Sequence, residues 1–361
     1  MIVRVGRGRP RQSQRGNVII LFALVLPILI GFLSLSVDVG HLLRVRSELQ
    51  NAADAAAWAA VRDLDGRESA YAAVRQSAVR LAAEHRANGT IVAVDPNTAN
   101  ADDGEVVLGI WDCPSKSFSA ATWPPTRVNA VKVRTRRTAA SGGAVTTFFA
   151  GLFGLSQKDL VATAVGVGGS PQLACAFPFV VPDCSIIDGG GNLRCNATLT
   201  FGDAGSDNVG FTVLEPTGPV STPLINCAVT RALGVGCPAG CDCTGQCNES
   251  SLSEGAIYVS NGNNLSTTVI DAITAAVAAA PDGILVNLPV LDSGGLSQAG
   301  CGGFAFNRPV PVIGYVKLRL TGAQFGPPKA VYGSVDCSQT DSAPAGGALF
   351  GLRSVNPYLV Q

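Results

Sequence analysis

The densest cluster of potentially reactive side chains is the stretch CPAGCDCTGQC, residues 237–247. Its cysteines, Cys237, Cys241, Cys243 and Cys247, are separated by three, one and three residues. Four thiolates can bind zinc tetrahedrally, but the usual zinc knuckle needs a C-x-x-C spacing, which this stretch lacks. The spacing therefore favours disulfide bonds in a stapled loop over a zinc site, and we expect no metal centre.

The other cysteines point to an oxidising compartment. Of 11 cysteines, all but Cys113 fall after residue 170, and we expect them to form disulfides: Cys175, Cys184, Cys195, Cys227, Cys237, Cys241, Cys243, Cys247, Cys301 and Cys337. Such density is typical of domains outside the cytoplasm. Five bridges would leave Cys113 as a buried thiol or an intermolecular link. The spacing does not assign the pairs.

Residues suited to catalysis are sparse. Both histidines, His41 and His85, precede residue 88, so the rest of the chain has no imidazole for a Ser–His, Cys–His or His–metal arrangement. Carboxylate pairs that would suit glycan chemistry are more simply solvated loop groups, namely Asp102 with Asp103 and Asp336 with Asp341. We predict no catalytic residue, no cofactor and no enzymatic activity.

Phosphate, calcium and nucleic acid sites are also poorly supported. The glycines of DGGGN (188–192) and GCGGF (300–304) lack the GxxxxGK pattern and fit turns. The stretch DAGSDNVG, from Asp203, lacks the distal Glu of a calcium loop. Lys plus Arg and Asp plus Glu are 26 each, so the chain has no basic surplus for nucleic acid.

An apolar run near the amino end is the element expected to position the rest of the chain. Val18 to Val37 is 20 residues without a charge, which at ~1.5 Å per residue spans the ~30 Å bilayer core. We expect a kink at Pro27. A secretory signal has an apolar core of about 7 to 15 residues and a small-x-small exit. A retained anchor is therefore favoured, with a cleaved signal as the alternative because Ser34 and Ser36 weakly resemble a cleavage site.

The flanks of this run predict its orientation. No acid precedes it, whereas these arginines do: Arg4, Arg7, Arg9, Arg11 and Arg15. Positive flanks stay on the cytoplasmic side of a membrane. The remaining chain is therefore expected outside the cytoplasm.

A helical stem is predicted to continue from the anchor. Apolar side chains recur there at spacings of three and four, and we name this set the stem stripe: Leu42, Val45, Leu49, Ala52, Ala56 and Ala59. Such spacing places them on one helical face. We expect a break near Asp63–Gly66 and a stop at Gly89. The stripe either packs on the protein's own sheet or bundles with other subunits.

The overall pattern predicts an α+β protein. We expect strands at 90–95, 104–112, 129–137 and 159–168, and a short helix at 146–154. The second region should be mostly β, with one good helix that is capped by Ser266 or Thr267. The predicted segments are a basic cytoplasmic tail (1–16), a transmembrane helix (17–37), the stem (38–87), a small α+β domain with the stem (88–169) and a cysteine-rich, mostly β extracytoplasmic domain (170–361).

Three stretches carry a family resemblance: RGNVIILFALVLPILIGFLSLSVDVGHLL, RSELQNAADAAAWAA and VNAVKVRTRRTAASGGAVTTFFAGLFGLSQKDLVATAVGVGG. Together they resemble the TadE/TadG-like proteins of bacterial tight-adherence (Flp) pilus assembly, up to about residue 170. The resemblance implies a single-pass inner-membrane protein with a periplasmic bulk. Its helical stem and outer region would belong to a pilus secretion system, often described as pseudopilin-like.

Two departures from related patterns limit what the resemblance implies. Prepilins are processed after a small residue and carry Glu at the fifth mature position; after Gly16 that position is Leu21, so we do not expect such processing. Larger TadG-like members can carry a von Willebrand type A metal site with an Asp-x-Ser-x-Ser run. Here Asp183, Cys184 and Ser185 begin such a run but Ile follows, so we expect no adhesion-type metal.

Two functional hypotheses follow. The first is a membrane-anchored, non-enzymatic structural or assembly component of an Flp pilus or related secretion apparatus. Its partners would be the inner membrane, other pilus-assembly or pseudopilin-like proteins, and further copies of the chain through the stem. The alternative is a tethered or secreted, adhesin-like protein that recognises a glycan or protein ligand through its cysteine-rich domain.

Overall fold

The computed structural model describes residues 15–113, 115–121, 125–202, 209–215, 218, 220–236, 239–241, 248–252, 255–261 and 265–360. The α-helices in this part are α1 (Arg15–Arg62), α2 (Tyr71–Ala83), α3 (Asp183–Ile186), α4 (Thr222–Leu233) and α5 (Thr267–Ala279). Short 3-10 helices lie at Glu68–Ala70, Pro125–Arg127, Ala150–Phe153 and Gln298–Gly303.

The strands of the first half are β1 (Arg86–Ala87), β2 (Thr90–Ile91), β3 (Val106–Asp112), β4 (Ser117–Ala120), β5 (Ala130–Arg137), β6 (Val145–Thr146), β7 (Gln157–Lys158), β8 (Leu160–Val167), β9 (Ser170–Pro171) and β10 (Leu173–Cys175). Those that follow are β11 (Phe179–Pro182), β12 (Thr198–Gly202), β13 (Gly210–Thr212), β14 (Glu249–Ser251), β15 (Ala256–Ser260), β16 (Ile284–Leu291), β17 (Arg308–Gln324), β18 (Ala330–Asp336), β19 (Thr340–Phe350), β20 (Arg353–Asn356) and β21 (Tyr358–Val360). Helices and strands together make the α+β fold that the sequence predicted.

The long helix α1 contains both the apolar run and the first part of the stem. It continues through Pro27 without interruption and ends at Arg62, beside the predicted break. Gly66 has φ of +80°, a left-handed conformation that suits glycine, and it helps the chain turn back into α2. The apolar run and residues 38–62 therefore form one continuous helix.

The first unit is a sheet with α1 and α2 packed on it. Its strand order is β21-β8-β5-β3-β4, with antiparallel neighbours. In β5, Val131, Val133 and Thr135 are buried while the residues between them are partly exposed, because successive side chains of a strand point to opposite faces. A Cβ on Gly166 would lie 2.6 Å from the Ala57 carbonyl oxygen, so glycine in β8 permits the close approach of α1.

The second unit is a larger sheet in the order β12-β18-β17-β15-β13-β11-β16, with β19 joining β17. The long strand β17 pairs with β15, β16 and β18 along successive parts of its length. The core of this unit contains a cluster of aromatic rings. The centre of the Phe179 ring lies 4.8 to 5.1 Å from the ring centres of Phe177, Phe201 and Phe211. Helices α4 and α5 add Ile225 and Val269 to the same core.

The structure corrects two sequence-based expectations. The second unit has two long helices rather than one, because α4 also forms; its local signals are Pro223 in the first turn and a left-handed Gly234 at the end. In the stretch 90–95 only Thr90–Ile91 is a strand, although Val92 and Val94 are buried. After the predicted boundary at residue 169, the chain also returns to the first sheet.

The returning strand is β21. Tyr358 pairs with Val167 and Val360 with Val165, which covers the edge of β8 that would otherwise be open. Leu349, from β19, is buried in the core of the first unit. The two units therefore share both a strand and core contacts.

Candidate functional site

The apolar run of α1 has no cover within the chain. From Ile19 to Val37 its large apolar side chains are exposed on every side of the helix, and Val37 itself is exposed. In the part of the chain that the structure describes, α1 alone is long and apolar enough to cross a membrane. Val18 lies within α1, although its side chain is outside the description. A helix that is hydrophobic all round requires an apolar environment, and a bilayer would supply it.

The stem stripe faces the protein's own sheet. Its fully buried members pack with α2 and the strands of the first unit: Val45, Leu49, Ala52 and Ala56. Leu42 packs against the edge of this core and Ala59 is half-buried. Small side chains bring α1 close to the sheet, so the stripe is covered within the chain while the opposite face of the helix is exposed.

That opposite face carries several exposed side chains. Leu43 is 60% exposed, Asn51 is exposed and Trp58 is 42% exposed. At about 100° per residue, these positions fall within a sector of about 80° on the helix, so they share one broad face. The Arg62 guanidinium lies 4.6 Å from the centre of the Trp58 ring. We name the face formed by Leu43, Asn51 and Trp58 the outer stem face.

Asp38 forms a clamp at the point where the apolar run ends. Its side chain is 2% exposed, and Oδ1 accepts the Phe148 N–H at 2.7 Å. Oδ2 accepts the N–H groups of Phe149 at 2.9 Å and Ala150 at 2.6 Å. Burial acts to raise the pKa of Asp38, but the three backbone donors outweigh it and hold the pKa below its ordinary value.

This clamp was not predictable from local sequence patterns. Its signal would have been a single acid directly after an uncharged run, since a carboxylate there needs donors. The donors come from a loop more than 100 residues away in the chain, and no local pattern links the two.

An ion-pair cluster joins the two units. Arg127 donates from Nη2 to Asp183 at 2.6 Å and to Asp292 at 2.9 Å. Asp183 is 2% exposed and also accepts the Ser293 N–H. Burial acts to raise the pKa of Asp292, but hydrogen bonds from Arg127 and the Gly294 N–H lower it overall. Asp183, which begins the incomplete metal run, is thus an ion-pair partner.

The disulfides lie in the second unit. Cys184 pairs with Cys301, Cys195 with Cys337 and Cys227 with Cys241. Cys175 is also disulfide-bonded. Cys237, Cys243 and Cys247 lie outside the described residues. Because Cys241 is bonded to Cys227, the four-thiolate zinc arrangement cannot form.

The unpaired Cys113 lies beneath the returning strand. It has a free thiol, with Sγ 3.7 Å from the Gly346 carbonyl oxygen and 3.9 Å from the Tyr358 hydroxyl. Burial raises the pKa of this thiol, which lowers its thiolate fraction and its reactivity. Cys113 is therefore a packing residue at the junction of the units.

The residues considered for catalysis take part in ring packing, ion pairs and hydrogen bonds. His41 packs its ring against Phe148, with centroids 5.3 Å apart, and His85 follows α2. Asp102 pairs with Lys132 at 2.8 Å. Burial acts to raise the pKa of Asp336. Hydrogen bonds that its carboxylate accepts from Arg319 and Ser338 outweigh burial and lower the pKa to about 2.

The loops considered for phosphate and metal are turns where they are described. In DGGGN, Asp188 accepts the N–H groups of Gly190 and Asn192. In GCGGF, Cys301 is bridged to Cys184. Most of the stretch after Asp203 lies outside the described residues. Within the described ranges no three His, Cys, Asp or Glu side chains are grouped so that they could hold a metal ion.

Comparison with protein families gives two matches. Residues 16–63 match a family described as TadE/G-like Flp pilus assembly, and residues 47–165 match one described as Tad-like Flp pilus assembly. Neither the curated proteins nor the solved structures include a match to the chain. The family matches cover α1, α2 and the first sheet as far as β8, and they support a role in pilus assembly. Residues 16–165 are therefore similar to Flp pilus-assembly proteins, and residues 16–63 to the TadE/TadG-like ones, as the sequence motifs predicted.

Proposed function

We propose that this protein is a membrane-anchored, non-enzymatic structural component that assists assembly of a bacterial Flp pilus or a related secretion apparatus. The observation that carries the proposal is that one helix, α1, contains both an uncovered apolar run and a stem that is buried in a pilus-assembly type unit. At ~1.5 Å per residue, the helix is a rod of about 72 Å. A rod of that kind holds the first unit at a set height above the bilayer.

The charge and cysteine patterns support an orientation. Arginines flank the apolar run on its amino side, and positive flanks remain cytoplasmic. The disulfides of the second unit require an oxidising compartment. Both features agree with a single-pass inner-membrane protein whose folded units are periplasmic.

The outer stem face is the surface that we assign to partner helices. The stem stripe is already covered by the first unit, whereas Leu43, Asn51 and Trp58 are open to solvent. They share one exposed face of the stem, and an exposed face with large apolar side chains suits packing against a second helix. We propose that stems of this chain or of pseudopilin-like partners associate along this face.

Cross-linking tests the proposal directly. Single substitutions Leu43→Cys, Asn51→Cys and Trp58→Cys are placed in the full chain, in cells that assemble the apparatus, and treated with a thiol-specific bifunctional reagent. We expect dimers or mixed products from all three positions. Phe325→Cys, at an exposed position in the second unit, is the matched control for random collision. Absence of stem cross-links in cells with assembled pili would contradict the proposal.

Mass and fractionation test the anchor separately. We expect a membrane-bound product whose mass includes the apolar run. A soluble product that begins between Ser36 and Gly40 would show that the run is a cleaved signal. That result would favour the secreted binding protein instead.

One observation supports ligand binding as a second candidate function. A cleft of about 610 Å³ lies beside Arg127, Asp183 and Ser293, between the two units. The buried Ser293 hydroxyl has no hydrogen-bond partner among the described residues. If the cleft binds a glycan, the full chain should bind immobilised glycans and Ser293→Trp should remove that binding. Unchanged binding by this variant would exclude the cleft.

A further inference from the structure

The loop that Asp38 holds carries an exposed apolar surface. We name residues 147–155 the membrane-proximal loop. Phe148 is 64% exposed, Phe149 40% and Leu155 67%. No charged residue occurs from 138 to 157. Three large apolar side chains exposed in so short and uncharged a loop indicate an interaction surface.

The clamp places this loop beside the end of the anchor. Asp38 directly follows Val37, the last residue of the apolar run, and its carboxylate bonds the backbone of Phe148, Phe149 and Ala150. His41, in contact with the Phe148 ring, lies only one helical turn farther along α1. A turn rises ~5.4 Å, and the polar layer on each side of the hydrocarbon core is about 5 to 8 Å thick. The loop therefore lies at the depth of the headgroups.

The backbone of the loop makes its hydrogen bonds within the protein. Strands β6 and β7 pair at the base of the loop, and Thr147 N–H bonds the Ser156 carbonyl. The Leu155 N–H donates to the Ala150 carbonyl oxygen, and the Gly154 N–H donates to the Gly151 carbonyl oxygen. Together with the bonds to Asp38, these contacts satisfy groups that would oppose entry into an apolar phase. The side chains, rather than the backbone, are what the loop leaves exposed.

The charged side chains that follow His41 on the stem fit a lipid surface. Arg44 and Arg46 are exposed on α1 beyond His41. Long cationic side chains at this position can reach phosphate groups while their stems cover apolar surface. Uncharged apolar side chains therefore lie on the membrane side, and arginines on the aqueous side.

We propose that the membrane-proximal loop inserts Phe148, Phe149 and Leu155 into the headgroup–acyl boundary of the phospholipid bilayer beside α1. The inference rests on the proposed anchoring of α1. With α1 alone, the first unit would be free to rotate and tilt about a single helix. The loop is a second contact that sets the orientation of the first unit, and thus the direction in which the outer stem face points.

Quenching by brominated lipid tests the inference. The full chain is placed in phosphatidylcholine nanodiscs, with or without bromine on the acyl chains, as Phe148→Trp or Leu155→Trp. The signal of the parent, which has three tryptophans, is subtracted. Phe325→Trp is the control, because Phe325 is 54% exposed but lies in the second unit. We expect at least a twofold drop in the added fluorescence for both loop variants and none for the control.

The outcomes separate this inference from the proposed function. If the chain remains in the nanodisc and neither loop variant is quenched beyond the control, the loop does not contact lipid and the inference is overturned, while the anchor stands. If the chain fails to incorporate into nanodiscs, the anchor itself is overturned, and the inference with it. Two exposed reporter positions are used so that a local effect of one substitution does not decide the result.

Discussion

The two units of this protein are stabilised in different ways. The first packs a helix of alanine, valine and leucine closely on an antiparallel sheet, and it has one cysteine, Cys113. The second has an aromatic core, a long central strand and the disulfides. The first unit is built on α1, whose other half is suited to a membrane, whereas the second has its own core and disulfides. The comparison shows a division between the units: the first supports a long helix, and the second is a fold braced by disulfides.

Removal of a long-range disulfide should have the largest effect, and it should be confined to the second unit. The Cys195–Cys337 bridge joins residues 142 positions apart. The combined substitutions Cys195→Ala and Cys337→Ala are expected to destabilise by about 4 kcal/mol, since the bridge restricts a long loop in the unfolded chain. Hydrogen exchange should show lost protection in β17 and β18 but not in β5 and β8. Cys113→Ala is the control, and equal loss in both units would contradict the division.

The corresponding test of the first unit is a substitution that creates a cavity in its helix–sheet core. Leu49 is fully buried, and Leu49→Ala is expected to cost about 3 kcal/mol through lost burial and an incompletely filled cavity. Leu43→Ala, on the exposed face of the same helix, should change stability by less than about 0.5 kcal/mol. Denaturant unfolding followed by exchange in β5 and β8 measures both. A larger cost at Leu43 would mean that the outer stem face is covered in the isolated chain.

The coupling between the units should depend on Arg127. Arg127→Met leaves the carboxylate of Asp183 buried without its cation, and we expect a loss of about 2 kcal/mol, less than for fully buried pairs because Asp292 is partly exposed. Unfolding of the two units should then separate into two transitions. Lys132→Met is the control, because its partner Asp102 is exposed and such pairs contribute about 1 kcal/mol or less. A single unchanged transition for Arg127→Met would show that shared core contacts suffice.

The smallest expected effect is the pH dependence of the Asp38 clamp. Because its folded-state pKa lies below the ordinary value, the clamp should stabilise the loop fully above about pH 4 and weaken as the pH falls through the lowered pKa. Quenching of the Phe148→Trp reporter by brominated lipid should decline over that acidic range. Asp38→Asn should reduce quenching at neutral pH and remove its dependence on acid. A reporter signal independent of both changes would contradict the role of the clamp.

Local signals accounted for much of the fold. The uncharged run, the end of α1 at Arg62 and the strands β3, β5 and β8 follow from charge and periodicity. Ser266 caps α5, where its hydroxyl accepts the Val269 N–H at 3.2 Å. The helix α4 was missed although Pro223 and Gly234 mark its ends, because its apolar spacing lies within a stretch rich in turn residues.

The features that non-local contacts decide were not predictable in the same way. The periodicity of the stem stripe identifies a buried face but not what buries it; only the tertiary structure shows that the sheet does. Likewise, the composition predicted disulfides, but ten cysteines allow many pairings and the fold selects among them.

The sequence by itself determined a helix long and apolar enough to cross a membrane, the bias toward disulfide-forming cysteines and the pilus-assembly resemblance, because length, composition and motif order are properties of contiguous residues. The tertiary structure alone decided which stem face is free, that Arg127 bridges the units, that β21 returns to the first sheet and that Asp38 holds the membrane-proximal loop. Each of these joins residues far apart in the chain. Their pairing depends on packing and hydrogen-bond geometry, which residue spacing does not encode.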